Sequence, residues 1–359
     1  MIFMKTSDVI KYVVSVALAA VLLYFSFRGV NWTDFLNGLR ACSWGWIAVA
    51  MGAGVMSFWL RGLRWRELLI PIDPSTRRLV SFNAINIGLL ANLIFPRIGE
   101  FVRCGFITRH SAVIQDNANP SGKSHLASYD KVLGTVITER SLDVLTLLSL
   151  VAILFFSMRE KVGNFLTDKI INPLFGRIDM GLTWILALTL ITGVGILSVW
   201  LVRKFRDRYR IAAAVCRLAS GMWGGLVSLF KIRRWWLFVI YTILIWTMYW
   251  LMSMSVLLAV QGMDISMLSA DFSGAVEKLA GLGASDALFL MIVGSLSSLV
   301  PVPGGFGAFH YIVATALTSV YGVPFGVGIM FATLSHESQT ITQILCGGLS
   351  YASEVMAKE

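Results

Sequence analysis

The stretch Trp235-Trp-Leu-Phe-Val-Ile-Tyr-Thr-Ile-Leu-Ile-Trp-Thr-Met-Tyr-Trp-Leu-Met-Ser-Met-Ser-Val-Leu-Leu-Ala-Val260 contains no Asp, Glu, Lys or Arg. Crossing a hydrocarbon core takes about 20 apolar residues of helix. Inside lipid every backbone amide must bond within its own segment. The stretch therefore predicts a membrane-spanning helix, and the uncharged run Leu182–Val202 predicts another. The whole chain agrees. Hydrophobic residues make up 57% of its 359 residues and charged residues 14%, against about 45–50% and 25% for a soluble domain. Almost none of it reads as a soluble globular domain.

Working outward, six segments read as full spans: Tyr12–Phe27, Ser43–Leu60, Val132–Phe156, Leu182–Val202, Trp235–Val260 and Val323–Ala352. The first has Lys5 and Lys11 before it but no small-residue cleavage site in the right place, so it reads as an uncleaved span rather than a signal peptide. Two more apolar regions are interrupted. Leu79–Ile107 breaks at Phe95-Pro96-Arg97-Ile98-Gly99-Glu100, and Ala284–Val320 breaks at Pro301-Val302-Pro303-Gly304-Gly305-Phe306-Gly307. Both read as helical hairpins that enter the membrane and return on the same side. Non-helical backbone at that depth is tolerated only where protein or a water-filled cavity surrounds it.

Loop charge orients these segments. Arg203–Arg234 holds nine Lys/Arg against Asp207 alone, and Arg61–Arg78 holds five Arg. Both are expected on the cytoplasmic side. Gln261–Gly283 carries Asp264, Asp271 and Glu277 against Lys278 and fits the outside. With six spans and two same-side hairpins these assignments agree, and both termini fall on the cytoplasmic side of the cell membrane. Two full crossings per hairpin would preserve the same parity. The net charge of +10 follows from this flanking pattern. No nucleic-acid motif accompanies it, so no nucleic-acid partner is expected.

The fold class is therefore all-α, a polytopic helical membrane protein in a single membrane domain, residues 1–359. Both halves read span, span, broken hairpin, span, and they begin on opposite sides, as in an inverted-topology repeat. The first repeat half covers 10–157 and the second 182–353. Residues 158–234 hold a loop, a span and a basic cytoplasmic linker. A chance division of any long membrane protein into similar halves remains the alternative. Asp207–Phe230 suits an amphipathic helix on the inner leaflet, or a plain tether. Trp44, Trp46, Trp235 and Trp236 stand at span ends as interface anchors. Cys42, Cys104, Cys216 and Cys346 form no CxxC pair and read as small packing residues.

Candidate chemistry gathers at the breaks. Arg97, Glu100 and Arg103 follow one another closely, and Glu100 and Arg103 can share a helix face. Asn83, Asn86 and Asn92 precede them and need partners at that depth. Glu139, Arg140 and Asp143 lie inside a span, where unpaired charge costs several kcal/mol. Arg140 can pair with Asp143, and Arg97 or Arg103 is the candidate for a further cation. The cluster reads as a polar cavity for a lipid head group or a proton path, or else as a structural ion pair. Gly304, Gly305 and Gly307 open a helix whose first amides attract anions. The plain alternative is a tight turn that lets helices pack. His310 follows the second break as Glu100 follows the first, and His336 and Glu337 lie mid-way along the last span. These residues are expected to line one cavity from both halves, with a proton-linked role open to the histidines. The spacing of His110, His125, His310 and His336 predicts no metal, and no cofactor is expected.

Taken in order, Asn92-Leu-x-x-Pro96-Arg-x-Gly99-Glu100-x-x-Arg103, Glu139-Arg140-x-x-Asp143 and Pro303-Gly-Gly-x-Gly307 resemble the lysylphosphatidylglycerol synthase transmembrane-region family, also called flippase-like, over about residues 10–352. The resemblance implies movement of a modified lipid between leaflets. In some family members a separate soluble domain makes that lipid; others are linked to glycosyl transfer onto polyprenyl lipids. This sequence ends at Glu359, so lipid synthesis itself is not expected of it. The family usually places Glu where this chain has His310, which puts a carboxylate role there in question.

Three functions follow as expectations. The first is a flippase-like, transporter-like protein that moves or binds a phospholipid or polyprenyl-linked lipid, with membrane lipids as partners. Its substrate-binding residues would be Arg97, Glu100, Arg103, Glu139, Arg140, Asp143, Gly304, Gly305, Gly307, His310, His336 and Glu337. The second is an intramembrane transferase acting on lipid-linked substrates, although no DxD or DDxxD run is present. The third is a non-catalytic partner of a membrane lipid-modifying enzyme.

Overall fold

Apolar runs with no water to bond their amides fold as helices, and the described residues do so throughout. The computed structural model describes residues 6–118, 127–157 and 234–356, with the single positions 189 and 204. Among them are eleven α-helices and no strand. In chain order these are α1 (Thr6–Phe27), α2 (Trp32–Ala41), α3 (Trp44–Leu69), α4 (Arg78–Ile94), α5 (Gly99–Ala118) and α6 (Tyr129–Ser157). They continue with α7 (Trp235–Gln261), α8 (Ala270–Ala280), α9 (Ala284–Ser297), α10 (Ala308–Tyr321) and α11 (Phe325–Met356). The chain divides into two compact units, Met1–Val136 with Ile232–Glu359, and Ile137–Lys231. Helix α6 begins in the first and ends in the second. The expected span Leu182–Val202, the linker helix Asp207–Phe230, His125 and Cys216 lie outside the described residues.

By length and composition α3 and α7 can each cross a membrane. Two more crossings are available if the bent pairs α1–α2 (90°) and α8–α9 (107°) each count as one. Among the described residues the candidate spans therefore number two to four. Helices α6 and α11 are long enough, but polar side chains interrupt them: Glu139, Arg140 and Asp143 in α6, and Ser335 through Thr342 in α11. Trp44 and Trp46 in the first turn of α3, and Trp235 and Trp236 in that of α7, are exposed, as anchors require.

Helices α2 and α8 were not expected from hydropathy, yet both carry ordinary start signals. Asn31 accepts from the amides of Thr33 and Asp34 at the head of α2, and Ser269 accepts from Phe272 N at the head of α8.

In the first unit α3 lies along α7, and α4 packs against both α3 and α11. Lipid tails are as apolar as Leu, so close packing and interhelical hydrogen bonds hold such helices together. Both devices appear on α4. A Cβ on Gly347 of α11 would stand 2.8 Å from Leu90 Cβ and 3.1 Å from Asn86 O. Along the same antiparallel seam, Asn83 Nδ2 donates to Glu354 Oε1 (2.7 Å) and Ser353 Oγ (3.3 Å), and Asn86 Nδ2 donates to Ser350 Oγ (3.2 Å). The amide nitrogens of Asn83 and Asn86 thus have partners, while Asn86 Oδ1 is buried without one among the described residues. Asn83→Leu removes the amide from a half-buried carboxylate. It is expected to lower resistance to SDS-induced unfolding, followed by circular dichroism, by about 1–2 kcal/mol.

Both predicted breaks separate two packed helical arms. Helix α4 stops because Pro96 has no N–H and forces its predecessor out of the helical region. Phe95 is accordingly extended (φ −123°, ψ 125°), and Arg97 follows at φ 61°. Asn92 Oδ1 then accepts from Gly99 N at 2.7 Å, tying the end of α4 to the start of α5. The arms touch at glycine, since a Cβ on Gly99 would run into the carbonyl oxygen of Gly88. Helix α9 ends at Ser297, and Val302 before Pro303 is extended (φ −114°, ψ 146°). Arm α10 returns along α9, with the Phe309 ring filling the space beside Gly294.

Candidate functional site

The two breaks meet. Arg97, in the first, donates from Nη2 to the carbonyl of Leu299 at 3.0 Å, with Ser298 O at a longer 3.5 Å. Those carbonyls are accessible because α9 has just ended and its last C=O groups have no intrahelical partner. Leu93 Cδ2 lies 3.2 Å from the Cβ position of Gly304. Tyr12 of α1 packs on Phe95 with ring centroids 4.8 Å apart. Arg97 is exposed, and among the described residues only Nη2 of its guanidinium is engaged.

Just beyond, Glu100 sits in the first turn of α5, where the helix dipole favours an acid. Its Oε2 is buried with no hydrogen-bond partner among the described residues. Arg103, on the next turn and 3% exposed, lays its guanidinium over Trp65 at 4.6 Å. The Trp65 indole donates in turn to Thr135 Oγ1 at 2.9 Å.

The second break is built on glycine conformations. Gly304, Gly305 and Gly307 all have positive φ (59°, 80° and 78°). At Gly307 the turn also touches α1, since a Cβ there would lie 2.7 Å from Leu23 N and 2.9 Å from Ala19 O. Ser26 Oγ reaches Gly307 O at 3.4 Å. Gly307 starts α10 without a side-chain cap.

Beneath this turn lie His310, His336 and Glu337. His336 Nε2 is 2.9 Å from Gly304 O, and its Nδ1 is 3.2 Å from Glu337 Oε1. His310 Nε2 is 3.6 Å from the same carboxylate oxygen. His310 is 1% exposed and His336 7%. The two imidazoles lie 5.1 Å apart, with Phe306 and Phe309 each 5.1 Å from His336 and Phe27 5.8 Å from His310.

Glu139, Arg140 and Asp143 lie in the second unit. Arg140 Nη2 bridges Glu139 Oε1 at 2.9 Å and Asp143 Oδ2 at 3.2 Å. Glu139 is fully buried. Two carboxylates against one guanidinium give the group a formal charge of −1.

Of the residues singled out in the sequence, the first unit therefore brings together Arg97, Gly304, Gly305, Gly307, His310, His336 and Glu337. Glu100 and Arg103 extend from the first break along α5. Arg97, one of two candidates to balance the α6 carboxylates, is turned to the second break. The sequence reading missed the Leu299 and Ser298 carbonyls, which carry no side-chain signal. It also missed Thr340, whose hydroxyl donates to His336 O at 2.9 Å. Its place four residues after His336 on a helix was a usable signal.

No curated protein and no solved structure matches the chain. Residues 12–347, nearly its whole length, match the family described as Lysylphosphatidylglycerol synthase TM region. That match spans both breaks, the α6 cluster and the histidine pair. This chain belongs to the lysylphosphatidylglycerol synthase TM region family, a membrane family related to lipid handling.

Proposed function

We propose that this protein is a flippase-like carrier in the cell membrane, moving a lipid with a phosphate-bearing head group between leaflets. That lipid is an anionic or modified phospholipid, or a polyprenyl-linked one. The reading rests on the contact between the two breaks. By flanking charge, α4 starts on the cytoplasmic side. The expected Arg61–Arg78 loop is in the structure the arginine-bearing end of α3 (Arg61, Arg64, Arg66) and a short turn to Arg77 and Arg78. Helix α9 starts on the outer side, after the acidic Gln261–Gly283 segment. Hairpins entering from opposite faces bring their tips together only if each stops part-way. Arms α9 and α10, of 14 residues each, reach about 21 Å at 1.5 Å per residue, short of a core about 30 Å thick. The contact Arg97–Leu299 therefore favours a re-entrant second hairpin, and the first, whose arms α4 and α5 have 17 and 20 residues, meets it at the tip. Six spans and cytoplasmic termini complete this topology. The packing of α3 along α7, equivalent members of the two halves, fits an inverted repeat.

At the junction Arg97 has guanidinium donors beyond Nη2 to offer a phosphate, next to the uncapped N-terminus of α10. Glu100 Oε2 offers a buried acceptor to a cationic group. Glu139, Arg140 and Asp143, in the second unit, are further candidates for contact with a lipid head group. Arg140 sits between the carboxylates of Glu139 and Asp143, which disfavours a metal-dependent transferase there.

Purified protein in vesicles carrying fluorescent phosphatidylglycerol in one leaflet, read by quenching with an impermeant reductant, is expected to speed exchange between leaflets. A polyprenyl-phosphate sugar serves as the second probe. Folded, correctly inserted protein that moves neither lipid faster than empty vesicles would falsify the proposal.

A further inference from the structure

We propose that His310, His336 and Glu337 form a binding site for a divalent transition-metal ion of the zinc type. The three residues come from the first turn of α10 and the middle of α11. One ligand atom from each lies within 4.8 Å of the other two.

The spacing decides between a metal and a shared proton. A zinc-type ion with bonds of about 2.0–2.1 Å in tetrahedral geometry holds its ligand atoms about 3.3 Å apart. Glu337 Oε1 stands 3.2 Å from His336 Nδ1 and 3.6 Å from His310 Nε2, on either side of that value, while the two imidazole nitrogens are held only within 4.8 Å of each other and would close to the same spacing on an ion. A charge-assisted hydrogen bond would draw nitrogen and oxygen to about 2.7–2.9 Å, and a separation of about 3.6 Å is not a hydrogen bond.

Hydrogen-bond logic points the same way. The carbonyl of Gly304 can only accept, so His336 Nε2, 2.9 Å from it, carries the hydrogen. In the neutral ring Nδ1 is then a lone pair, and it faces a carboxylate oxygen that is also an acceptor. Two acceptors facing each other need either a proton, which would make His336 an imidazolium, or a metal ion between them, and the partly exposed Glu337 leaves a route for an ion to enter. The bond to Gly304 is itself what a ligating histidine makes with its outer nitrogen, fixing tautomer and ring orientation. His310 has no such support, since its Nδ1 is buried without a partner among the described residues. The site should therefore bind in the micromolar range rather than as tightly as a structural zinc centre.

The donor set selects the ion. Two imidazoles and one carboxylate suit zinc, cobalt(II) and similar borderline ions, while magnesium and calcium take oxygen ligands. Three protein ligands leave a fourth position open. The Phe27, Phe306 and Phe309 rings wall the site with apolar surface. This inference does not depend on lipid movement, and its test reads metal binding alone.

Full-length protein, stripped with chelator and titrated with Co2+, is expected to take up one ion per chain with visible d–d absorption, displaced by Zn2+. Glu337→Gln and His310→Gln should each weaken Co2+ binding by about tenfold or more, and His110→Gln should leave it unchanged. X-ray absorption of the zinc-loaded wild type, which depends on no variant folding, should show a nitrogen/oxygen shell with imidazole scattering. Folded protein that binds neither ion overturns the proposal. So does a sulfur shell, or undiminished binding by folded Glu337→Gln and His310→Gln.

Discussion

Arg97→Met is expected to slow lipid movement in vesicles by about 10–100-fold while the protein stays folded. A hydrogen bond made by a charged group contributes about 1.5–3 kcal/mol, and each 1.4 kcal/mol is tenfold in rate. Arg97 joins the two breaks through Leu299 O at 3.0 Å and, in the proposed mechanism, offers its remaining donors to phosphate. Arg97→Lys should fall between the wild type and Met, because an ammonium keeps the charge but cannot span two acceptors in a fixed plane.

A third exchange separates the guanidinium from the backbone that carries it. Arg97 sits at φ 61°, a left-handed conformation that costs a side-chain-bearing residue about 1–2 kcal/mol. Strain of this kind persists where the surrounding structure over-determines it, commonly at sites of function. Gly adopts the same conformation without that cost. Arg97→Gly should therefore be as inactive as Arg97→Met, yet more stable than it by about 1–2 kcal/mol. Wild-type movement by the Met variant, or recovery of movement in the Gly variant, would show that the guanidinium is not what the junction needs.

How much of this was legible in the sequence depends on how local each cause is. The α7 run lacks charge from end to end, and lipid leaves such a run no choice but helix. The breaks were equally legible, because a proline removes its own N–H and constrains its neighbour without help from the rest of the fold. A shared cavity between them was expected, but not the atoms through which they touch. Arg97 and Leu299 are 202 positions apart, and a carbonyl acceptor looks the same in every residue. The histidine cluster was legible in part: His310, His336 and Glu337 were expected to line one cavity, but not at what distances. Motif spacing detects ligands within one segment, whereas His310 and His336 are joined only when α10 folds back on α11. Residue type flagged both histidines, but tertiary packing put one carboxylate between them. Hydropathy also ended the second span early. It stopped at Leu60, before the first arginine, where α3 runs on to Leu69 through Arg61, Arg64 and Arg66.

Gly307→Ala is expected to cost about 2–5 kcal/mol against denaturant-induced unfolding in detergent. The figure combines about 1–2 kcal/mol for a methyl at positive φ with about 1–3 kcal/mol for overpacking. The overpacking falls on backbone, since the new Cβ would stand 2.7 Å from Leu23 N and 2.9 Å from Ala19 O in α1. Neither atom can swing aside as a side chain would. Gly305→Ala shares the positive φ of 80° but meets only His336 Nε2, at 3.3 Å. It should cost about 1–2 kcal/mol. Gly274→Ala, inside α8 with nothing within 4 Å of its Cβ position, should instead stabilise by up to about 1 kcal/mol, because Ala outranks Gly in a helix. Equal stability across the three would remove the close approach of α1 as the reason for glycine here. The same series distinguishes the two readings of the turn. Should Gly307→Ala lose stability yet move lipid normally per folded molecule, the glycines exist to let α1 and α10 pack. A loss of movement beyond the loss of folded protein would mean that the amides opening α10 must hold their positions, as the binding of an anion at a helix N-terminus requires.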